Sequence, residues 1–226
     1  MTRKPLLLGH RGCRGRARPA LPVENSLAAF EYALEKGCDG FEFDVRHTRD
    51  GRNVLWHDPK WQGVEIAATD FAKLTDRNGK RLPELQDALE QFGKRAYLDI
   101  ELKVSGNEES VVAAVKARGL QHGFILSSFY PEILARLQDL DPALPLGFIC
   151  DRDRAMAVWR EMPIRTFLPH DSYVQPSLVE EAHARGLQIM TWTVNDARRM
   201  RELAEWGVDG IISDDPRLLY QTFHSD

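Results

Sequence analysis

Cysteine is scarce in this sequence. The three cysteines, Cys13, Cys38 and Cys150, are odd in number, far apart and form no CxxC pair. A small domain held together by disulfides, or a zinc site built from thiolates, needs closely spaced cysteines. The cysteine content therefore argues against both classes and is typical of a protein from a reducing compartment.

Long apolar runs are also missing. No run approaches the ~20 residues that a membrane-spanning helix requires. The leucines at positions 6–8 are followed at once by Gly9, His10 and Arg11, so this run is too short for the core of a signal peptide. We therefore expect a cytoplasmic protein without stable membrane insertion.

A strong excess of one charge is absent as well, because the formal net charge is only −4. A general nucleic-acid-binding protein normally shows a basic face, which this balance does not favour. The 43% hydrophobic and 28% charged residues are typical of a globular enzyme. A small-molecule substrate is the expected partner, and the oligomeric state stays open.

No linker rich in Pro, Gly or Ser divides the 226 residues, so we expect one domain over residues 1–226. Short apolar runs alternate with amphipathic helical patterns such as SLAAFEYALEKG, capped by Asn25 or Ser26, and RDRAMAVWREM. This alternation predicts an α/β fold, the single-domain (β/α)₈ TIM barrel, although an open doubly wound sheet fits it too. A short strand from Arg52 to Trp56, after the Asp50-Gly51 turn, extends the second unit as a hairpin. The eight predicted barrel strands run from Leu6 to Gly9, Gly40 to Val45, Ala96 to Leu102, Gly123 to Ser127, Leu144 to Ile149, Thr166 to Pro169, Gln188 to Val194 and Gly210 to Ser213.

Acidic residues stand at two predicted strand ends, where barrel active sites lie. Because side chains alternate along a strand, Glu42 and Asp44 share one face, and Asp99, Glu101 and Lys103 share another. Carboxylates pointed into a barrel are costly unless a cation compensates them, and an all-oxygen site suits one divalent cation. Mg²⁺ is the first choice, with Ca²⁺ or Mn²⁺ as alternatives. The competing interpretation is that these acids lie on solvated strands or form ion pairs among themselves.

Two histidines lie at early strand ends near these acids. His10 and His57 can divide proton transfer at a phosphodiester, one taking a proton from the attacking hydroxyl and the other giving one to the departing alkoxide. Arg11 and Lys103 are then expected to hold the nonbridging phosphate oxygens. His170 also follows a strand but has no companion acid motif, so it stays outside the predicted site.

The chain resembles the glycerophosphodiester phosphodiesterase family in three stretches: HRG at His10 to Gly12, VENSLAAFEYALEKGCDGFEFDVRHTRDGRNVLWHD from Val23 to Asp58, and LDIELK from Leu98 to Lys103. SSF, TWTVN and DGIISDDP resemble the later strands of the family. The resemblance implies a metal-dependent barrel that hydrolyses diesters such as glycerophosphocholine or glycerophosphoethanolamine to sn-glycerol 3-phosphate and an alcohol. The roles that it implies are metal ligands at Glu42, Asp44 and Glu101, an acid/base pair at His10 and His57, and phosphate binding at Arg11 and Lys103.

The same resemblance implies that the glycerol 2-hydroxyl attacks phosphorus and that water then opens the cyclic phosphate. We assign His57 as the base and His10 as the acid; the reverse assignment also fits, because the two exchange roles between steps. Trp192, at the end of the seventh strand, is expected to form an apolar wall of the pocket, with plain barrel packing as the alternative.

Two departures from the family pattern bear on substrate preference. VENS replaces the usual PENT, after a loop that carries Arg14, Arg16 and Arg18, which either attract anionic substrates or are simply solvated. Residues Pro59 to Pro83 form a short segment where the family has a longer insertion. A lysophospholipase D or sphingomyelinase D-like enzyme and a non-catalytic phosphate-binding barrel remain the alternatives.

Overall fold

Eight parallel strands close into a barrel in this computed structural model, which describes residues 4–15, 21–76 and 79–224. The first strand, β1 (Leu6–Gly9), pairs with β2 (Gly40–His47) on one side and with the last strand, β11 (Gly210–Ser213), on the other, so the sheet has no free edge within the barrel. The prediction of a (β/α)₈ barrel is therefore confirmed, and the open doubly wound sheet is excluded. The barrel strands are β1 (Leu6–Gly9), β2 (Gly40–His47), β6 (Tyr97–Leu102), β7 (Phe124–Ser128), β8 (Leu146–Cys150), β9 (Thr166–Pro169), β10 (Gln188–Thr191) and β11 (Gly210–Ser213).

Helices follow the barrel strands and cover the outside of the barrel. Ser26 caps the first of them, because its side chain accepts a hydrogen bond from the backbone N–H of Ala29. Pro131 and Pro176 occupy the first helical positions of two others, where a missing N–H does no harm. The helices are α1 (Leu27–Glu35), α2 (Leu85–Phe92), α3 (Glu108–Arg118), α4 (Pro131–Leu140), α5 (Asp153–Met156), α6 (Pro176–Ala184), α7 (Ala197–Glu205) and α8 (Pro216–His224). Across the described part of the chain, none of the helices combines the length and the hydrophobicity needed to traverse a bilayer.

The predicted helix RDRAMAVWREM is wrong in extent. Only α5 is α-helical, and a 3₁₀ turn follows at Trp159–Glu161. Trp159 is fully buried and stacks on Phe167 of β9, with ring centroids 4.6 Å apart. This contact holds the segment against the barrel and overrides its helical periodicity.

The seventh predicted strand is also shorter than expected, because β10 ends at Thr191. The indole Nε1 of Trp192 donates a hydrogen bond to the carbonyl oxygen of Leu168, 3.0 Å away. This bond holds the Trp192 ring beside the carboxyl end of β9.

A hairpin and a small satellite core extend the second unit. β3 (Asn53–Leu55) pairs antiparallel with the end of β2, after a turn in which Gly51 adopts a φ of 78°. This confirms the predicted hairpin. Two further short strands, β4 (Lys60–Trp61) and β5 (Val64–Glu65), precede a 3₁₀ turn at Phe71–Lys73. The buried side chains of this extension are Val54, Trp61, Ile66, Leu74 and Leu82.

Apolar side chains pack on both sides of the barrel wall. One cluster fills the inside, with members from six strands: Leu8, Ile125, Ile149, Leu168, Met190 and Ile212. On the outside, Phe41 and Phe43 of β2 pack with Phe30 of α1. Burying such a side chain contributes roughly 1.5–3 kcal/mol. These contacts fix the face on which Glu42 and Asp44 point inward.

Candidate active site

Three acidic side chains meet at the carboxyl ends of β2 and β6. These strands pair in parallel, with Glu42 opposite Asp99 and Asp44 opposite Glu101. Glu42, Asp44 and Glu101, named here the acid cluster, each offer one carboxylate oxygen, and these oxygens lie within 4.8 Å of one another. All three residues are buried, with exposed fractions of 4%, 0% and 6%. The predicted acids are therefore brought together as one group.

The negative charge of the acid cluster is only partly compensated by its neighbours. Glu42 Oε1 and Asp44 Oδ1 accept no hydrogen bond from any described residue. Burial, Asp44, Glu101 and Asp99 hold the pKa of Glu42 well above its usual range. Burial also raises the pKa of Glu101 to about 8; Lys103 opposes that shift and Asp44 adds to it. Three buried carboxylates, two of which carry an oxygen that accepts no hydrogen bond from the described residues, fit one hard divalent cation.

Asp44 is held as the charged member of the cluster. Burial would raise its pKa, but Lys103, Arg11 and His57 outweigh burial and lower the pKa. Asn25 adds a direct hydrogen bond, because its Nδ2 donates to Asp44 Oδ2 at 2.7 Å. The backbone N–H of Asp44 donates in return to Asn25 Oδ1 at 3.0 Å.

Arg11 and Lys103 flank the acid cluster. Arg11 Nε lies 3.0 Å from Asp44 Oδ2, and the Arg11 backbone N–H donates to Glu42 Oε2 at 2.9 Å. Lys103 Nζ lies 2.6 Å from Glu101 Oε1 and 3.4 Å from Asp44 Oδ1. Both cations thus stand beside the acid cluster at the cavity wall.

The two predicted histidines line the same cavity but differ in exposure. His10 is buried, with its Nδ1 2.7 Å from Asp214 Oδ1 and its Nε2 3.8 Å from Glu42 Oε2. The His57 side chain is 38% exposed, and its Nδ1 lies 2.7 Å from Asp58 Oδ1. Burial lowers the pKa of His57; Asp44 opposes this shift, and Lys103 adds to it. His57 is therefore mainly neutral near pH 7.

The central cavity has a volume of about 190 Å³ and two chemically different walls. Its charged wall contains both histidines, Arg11, Lys103 and two members of the acid cluster, Glu42 and Glu101. Its apolar wall is formed by Phe129, Ile149, Leu168, Trp192 and Ile212. The Trp192 ring packs edge-on against Phe129 and against His170, with both centroid distances 5.4 Å. A small polar anion with an apolar or carbon-rich substituent suits these two walls.

The profile of the Glycerophosphoryl diester phosphodiesterase family matches residues 10–218. The chain belongs to the glycerophosphoryl diester phosphodiesterase family. It is 30% identical over 239 residues to the glycerophosphodiester phosphodiesterase of Caldanaerobacter subterraneus subsp. tengcongensis, and the match covers 96% of both chains.

Solved structures of the phosphodiesterase family share the fold. A glycerophosphodiester phosphodiesterase from Parabacteroides distasonis superposes with a TM-score of 0.86 at 27% identity, covering 100% of this chain and 99% of that one. A phosphodiesterase from Oleispira antarctica, solved in complex with the product sn-glycerol-3-phosphate, gives a TM-score of 0.81 at 25% identity over 98% of each chain.

Family membership confirms the resemblance found in the sequence and makes the chain a phosphoric diester hydrolase. Members of the phosphodiesterase family generally bind a divalent metal, which agrees with the geometry of the acid cluster.

The structure also brings polar residues to this phosphodiesterase site that the sequence reasoning missed. Asn25 belongs to the quoted VENS motif, yet it was considered only as a helix cap; it adopts a φ of 56° and binds Asp44. Asp214 belongs to the quoted DGIISDDP stretch, and it contacts His10 across 204 positions of sequence. In both cases the motif was the available signal.

Asp99 was placed on the same face as Glu101 by the sequence pattern, but it was given no role in the site. It lies two positions before Glu101 on the same face of β6 and lines the central cavity. Burial raises the pKa of Asp99 to about 7, although the hydroxyl of Ser127 donates to it at 2.5 Å and opposes the shift. The alternation of LDIELK signalled this position.

The arginine loop is only partly described. Arg14 Nε donates to Glu24 Oε2 at 2.6 Å, and Glu24 Oε1 accepts from Arg11 at 2.7 Å. Arg14 therefore belongs to an ion-pair network behind Arg11. Arg16 and Arg18 lie outside the described residues, so for them both alternatives, attraction of anionic substrates and simple solvation, stay open.

Proposed function

We propose that this phosphodiesterase hydrolyses glycerophosphodiesters, such as glycerophosphocholine and glycerophosphoethanolamine, to sn-glycerol 3-phosphate and an alcohol. The observation that carries the proposal is that two histidines, the basic side chains of Arg11 and Lys103, and the acid cluster converge on one cavity. The relative solved with sn-glycerol-3-phosphate supports the same product class. A binding protein has no need of paired proton-transfer groups, so the arrangement favours catalysis. We take residues 1–226 as one catalytic domain.

Glu42, Asp44 and Glu101 are proposed to hold one divalent cation. Mg²⁺ is our choice, and Ca²⁺ and Mn²⁺ are compatible with the same oxygen ligands. When bound, the cation neutralises negative charge on the phosphate. Asn25 supports this role by orienting Asp44 through its amide.

Arg11 and Lys103 are proposed to bind the nonbridging phosphate oxygens. Both side chains line the cavity, and both are held beside the acid cluster by ion pairs. Burial alone would lower the pKa of Lys103, but the neighbouring carboxylates raise it above its ordinary value. Lys103 therefore stays positively charged and can attract a phosphate that enters the cavity. The fixed positive charges of Arg11 and Lys103 stabilise the negative charge that develops on the nonbridging phosphate oxygens in the transition state.

His57 and His10 are proposed to move the protons. In the first step the glycerol 2-hydroxyl oxygen bonds to phosphorus, His57 takes the hydroxyl proton, and His10 protonates the alkoxide as its bond to phosphorus breaks. In the second step water attacks the cyclic phosphate, His10 takes the water proton and His57 returns a proton to the 2-oxygen. The lowered pKa of His57 supports its role as the first base.

Trp192 is proposed to form the apolar wall against which the carbon skeleton of the substrate packs. Its edge-on contacts with Phe129 and His170 and the hydrogen bond from its indole N–H hold the ring in place. His170 then supports Trp192 and does not itself line the central cavity. The cytoplasmic location expected from the sequence remains a prediction.

Three substrates test the proposal: glycerophosphocholine, lysophosphatidylcholine and bis(p-nitrophenyl) phosphate, each with and without EDTA. We expect turnover of glycerophosphocholine that EDTA abolishes and added Mg²⁺ restores. Turnover of lysophosphatidylcholine instead would assign the lipid phosphodiesterase activity. No turnover of any of the three would favour a phosphate-binding barrel and overturn the proposal.

A further inference from the structure

The cavity histidine His10 has its second ring nitrogen engaged by an acid. Its Nδ1 lies 2.7 Å from Asp214 Oδ1. Burial would raise the pKa of Asp214, but the hydrogen bonds from His10 and Asn195 and the charge of Arg14 keep it below its ordinary value. A carboxylate only accepts hydrogen bonds, so the proton in this bond sits on Nδ1. The Nε2 atom, which points toward the cavity, is thereby left to exchange protons.

Asp214 is itself held in place from two directions. Asn195 Nδ2 donates to Asp214 Oδ2 at 2.8 Å, and the Asp214 backbone N–H donates to Asn195 Oδ1 at 2.9 Å. Ser213 Oγ also donates to Asn195 Oδ1, at 3.0 Å. The carboxylate therefore has a fixed orientation and one oxygen directed at His10.

Within the described part of the chain, the other histidine also has a carboxylate partner, but a more exposed one. The partner of His57 is the adjacent Asp58, whose side chain is 66% exposed. Water competes for such an exposed pair and weakens it. By contrast, the Asp214 side chain is 25% exposed and the His10 side chain 9%.

We propose that Asp214, held by Asn195, is a positioning residue that fixes the ring orientation and the tautomer of His10. The inference rests on the proposed function of His10 as a proton-transfer group. With Asn at position 214, an amide N–H can donate to Nδ1, and the proton of the neutral ring then moves to Nε2. In serine proteases the equivalent change leaves the geometry intact and lowers kcat by about 10⁴, because the wrong tautomer forms.

The test compares Asp214→Asn with Asp215→Asn. Asp215 is the adjacent acid, and its side chain accepts from the Leu218 backbone N–H at the start of α8, a role that Asn also fills. With glycerophosphocholine, we expect Asp214→Asn to lower kcat at least ~100-fold and to change KM less than roughly threefold. Asp215→Asn should keep kcat near that of the wild type. Calorimetry with Mg²⁺ should give the same affinity for all three proteins.

Nitrogen-15 NMR of the histidine rings gives a readout independent of activity. At a pH where the ring is neutral, we expect the His10 proton on Nδ1 in the wild type and on Nε2 in Asp214→Asn. A wild-type proton on Nε2, or an Asp214→Asn kcat within roughly threefold of the wild type, overturns the inference. Inactive wild-type and Asp215→Asn proteins contradict the proposed function instead, and the NMR result then still decides whether Asp214 fixes the tautomer.

Asn195→Ala keeps the carboxylate and removes its support, so it tests the inference if Asp214→Asn does not fold. We expect kcat to fall roughly tenfold with KM retained, because a loosely held ring is aligned for only part of the time. An unchanged kcat would overturn the role of Asn195.

Discussion

His10 and His57 line one cavity, and each is predicted to be essential at the level of the single residue. His10→Ala and His57→Ala should each lower kcat at least ~100-fold, since general acid/base groups contribute about that much. Steady-state kinetics with glycerophosphocholine measures the loss, and calorimetry should show Mg²⁺ still bound. His122→Ala, at an exposed position between α3 and β7, serves as the control. Full activity in either cavity variant would remove that histidine from the mechanism.

The pH dependence of catalysis follows from the surroundings of His57. Burial, with Lys103 and Arg11 adding to it, lowers the His57 pKa below its ordinary value of 6.5, and Asp44 offsets this shift only in part. A base works in its neutral form, which exists above its pKa. The acid limb of a kcat/KM profile should therefore have its midpoint below pH 6.5. A midpoint above that value would contradict the assignment of His57 as the first base.

Metal binding should depend on the charge of single acids in the cluster. Glu42→Gln keeps the shape of the side chain but removes the charge of a proposed ligand, whose Oε1 accepts no hydrogen bond from any described residue. We expect Mg²⁺ affinity to fall at least ~10-fold, as measured by isothermal titration calorimetry. Glu35→Gln, the same change at an exposed position of α1, is the control and should bind Mg²⁺ normally. Equal affinities would discredit Glu42 as a ligand.

At the level of the element, α1 fixes the face of β2 that carries the acids. Phe30 of α1 stacks on Phe41 of β2 with ring centroids 4.3 Å apart and planes 1° from parallel. Phe41→Ala should lower the free energy of unfolding by ~3–5 kcal/mol, since it leaves a cavity in this layer. Urea denaturation measures the change, and Val64→Ala, at a 44% exposed site, should stay within about 0.5 kcal/mol of the wild type. A small loss for Phe41→Ala would mean that α1 does not anchor β2.

Much of the site could be predicted at this scale, because the alternation of side chains along a strand and the order of the strands along the chain can both be read from the sequence. Strand alternation put Glu42 and Asp44 on one face, and the consecutive order of barrel strands put Glu101 beside them. The predicted barrel already places β1 beside β11, but the particular contact between His10 and Asp214 could not be predicted. The sequence offers two adjacent acids there, and only packing assigns one to the histidine and the other to the start of α8.

The length of α5 was overestimated for a similar reason. Its apolar spacing is helical, but the stacking of Trp159 on Phe167 involves a residue of the next strand. Periodicity within the segment carries no information about that partner. Elements that depend on one tertiary contact are thus the ones that a sequence pattern assigns least well.

For the whole molecule, metal binding should couple to stability because the proposed ligands lie on two neighbouring barrel strands, β2 and β6. Any ion that binds only the folded state stabilises it, by about 2.7 kcal/mol when its concentration is 100 times Kd. We expect EDTA to lower Tm and Mg²⁺ to restore it, as followed by differential scanning calorimetry. Glu101→Gln should lose most of this Mg²⁺-dependent rise. A Tm that is the same with EDTA and with Mg²⁺ would contradict binding at the acid cluster.

This coupling should grow with pH. Burial raises the Glu101 pKa from 4.5 to about 8; Lys103 opposes the shift, and Asp44 adds to it. Between these values the folded, metal-free protein keeps a proton that the unfolded chain releases, so its stability falls as pH rises from 4.5 toward 8. A bound cation compensates the ionised carboxylate, and the rise in Tm produced by Mg²⁺ should therefore be larger at pH 8 than at pH 6. In Glu101→Gln, the rise in Tm produced by Mg²⁺ should not be larger at pH 8 than at pH 6. If the wild type shows an equal or smaller rise in Tm at pH 8, Glu101 does not face the cation.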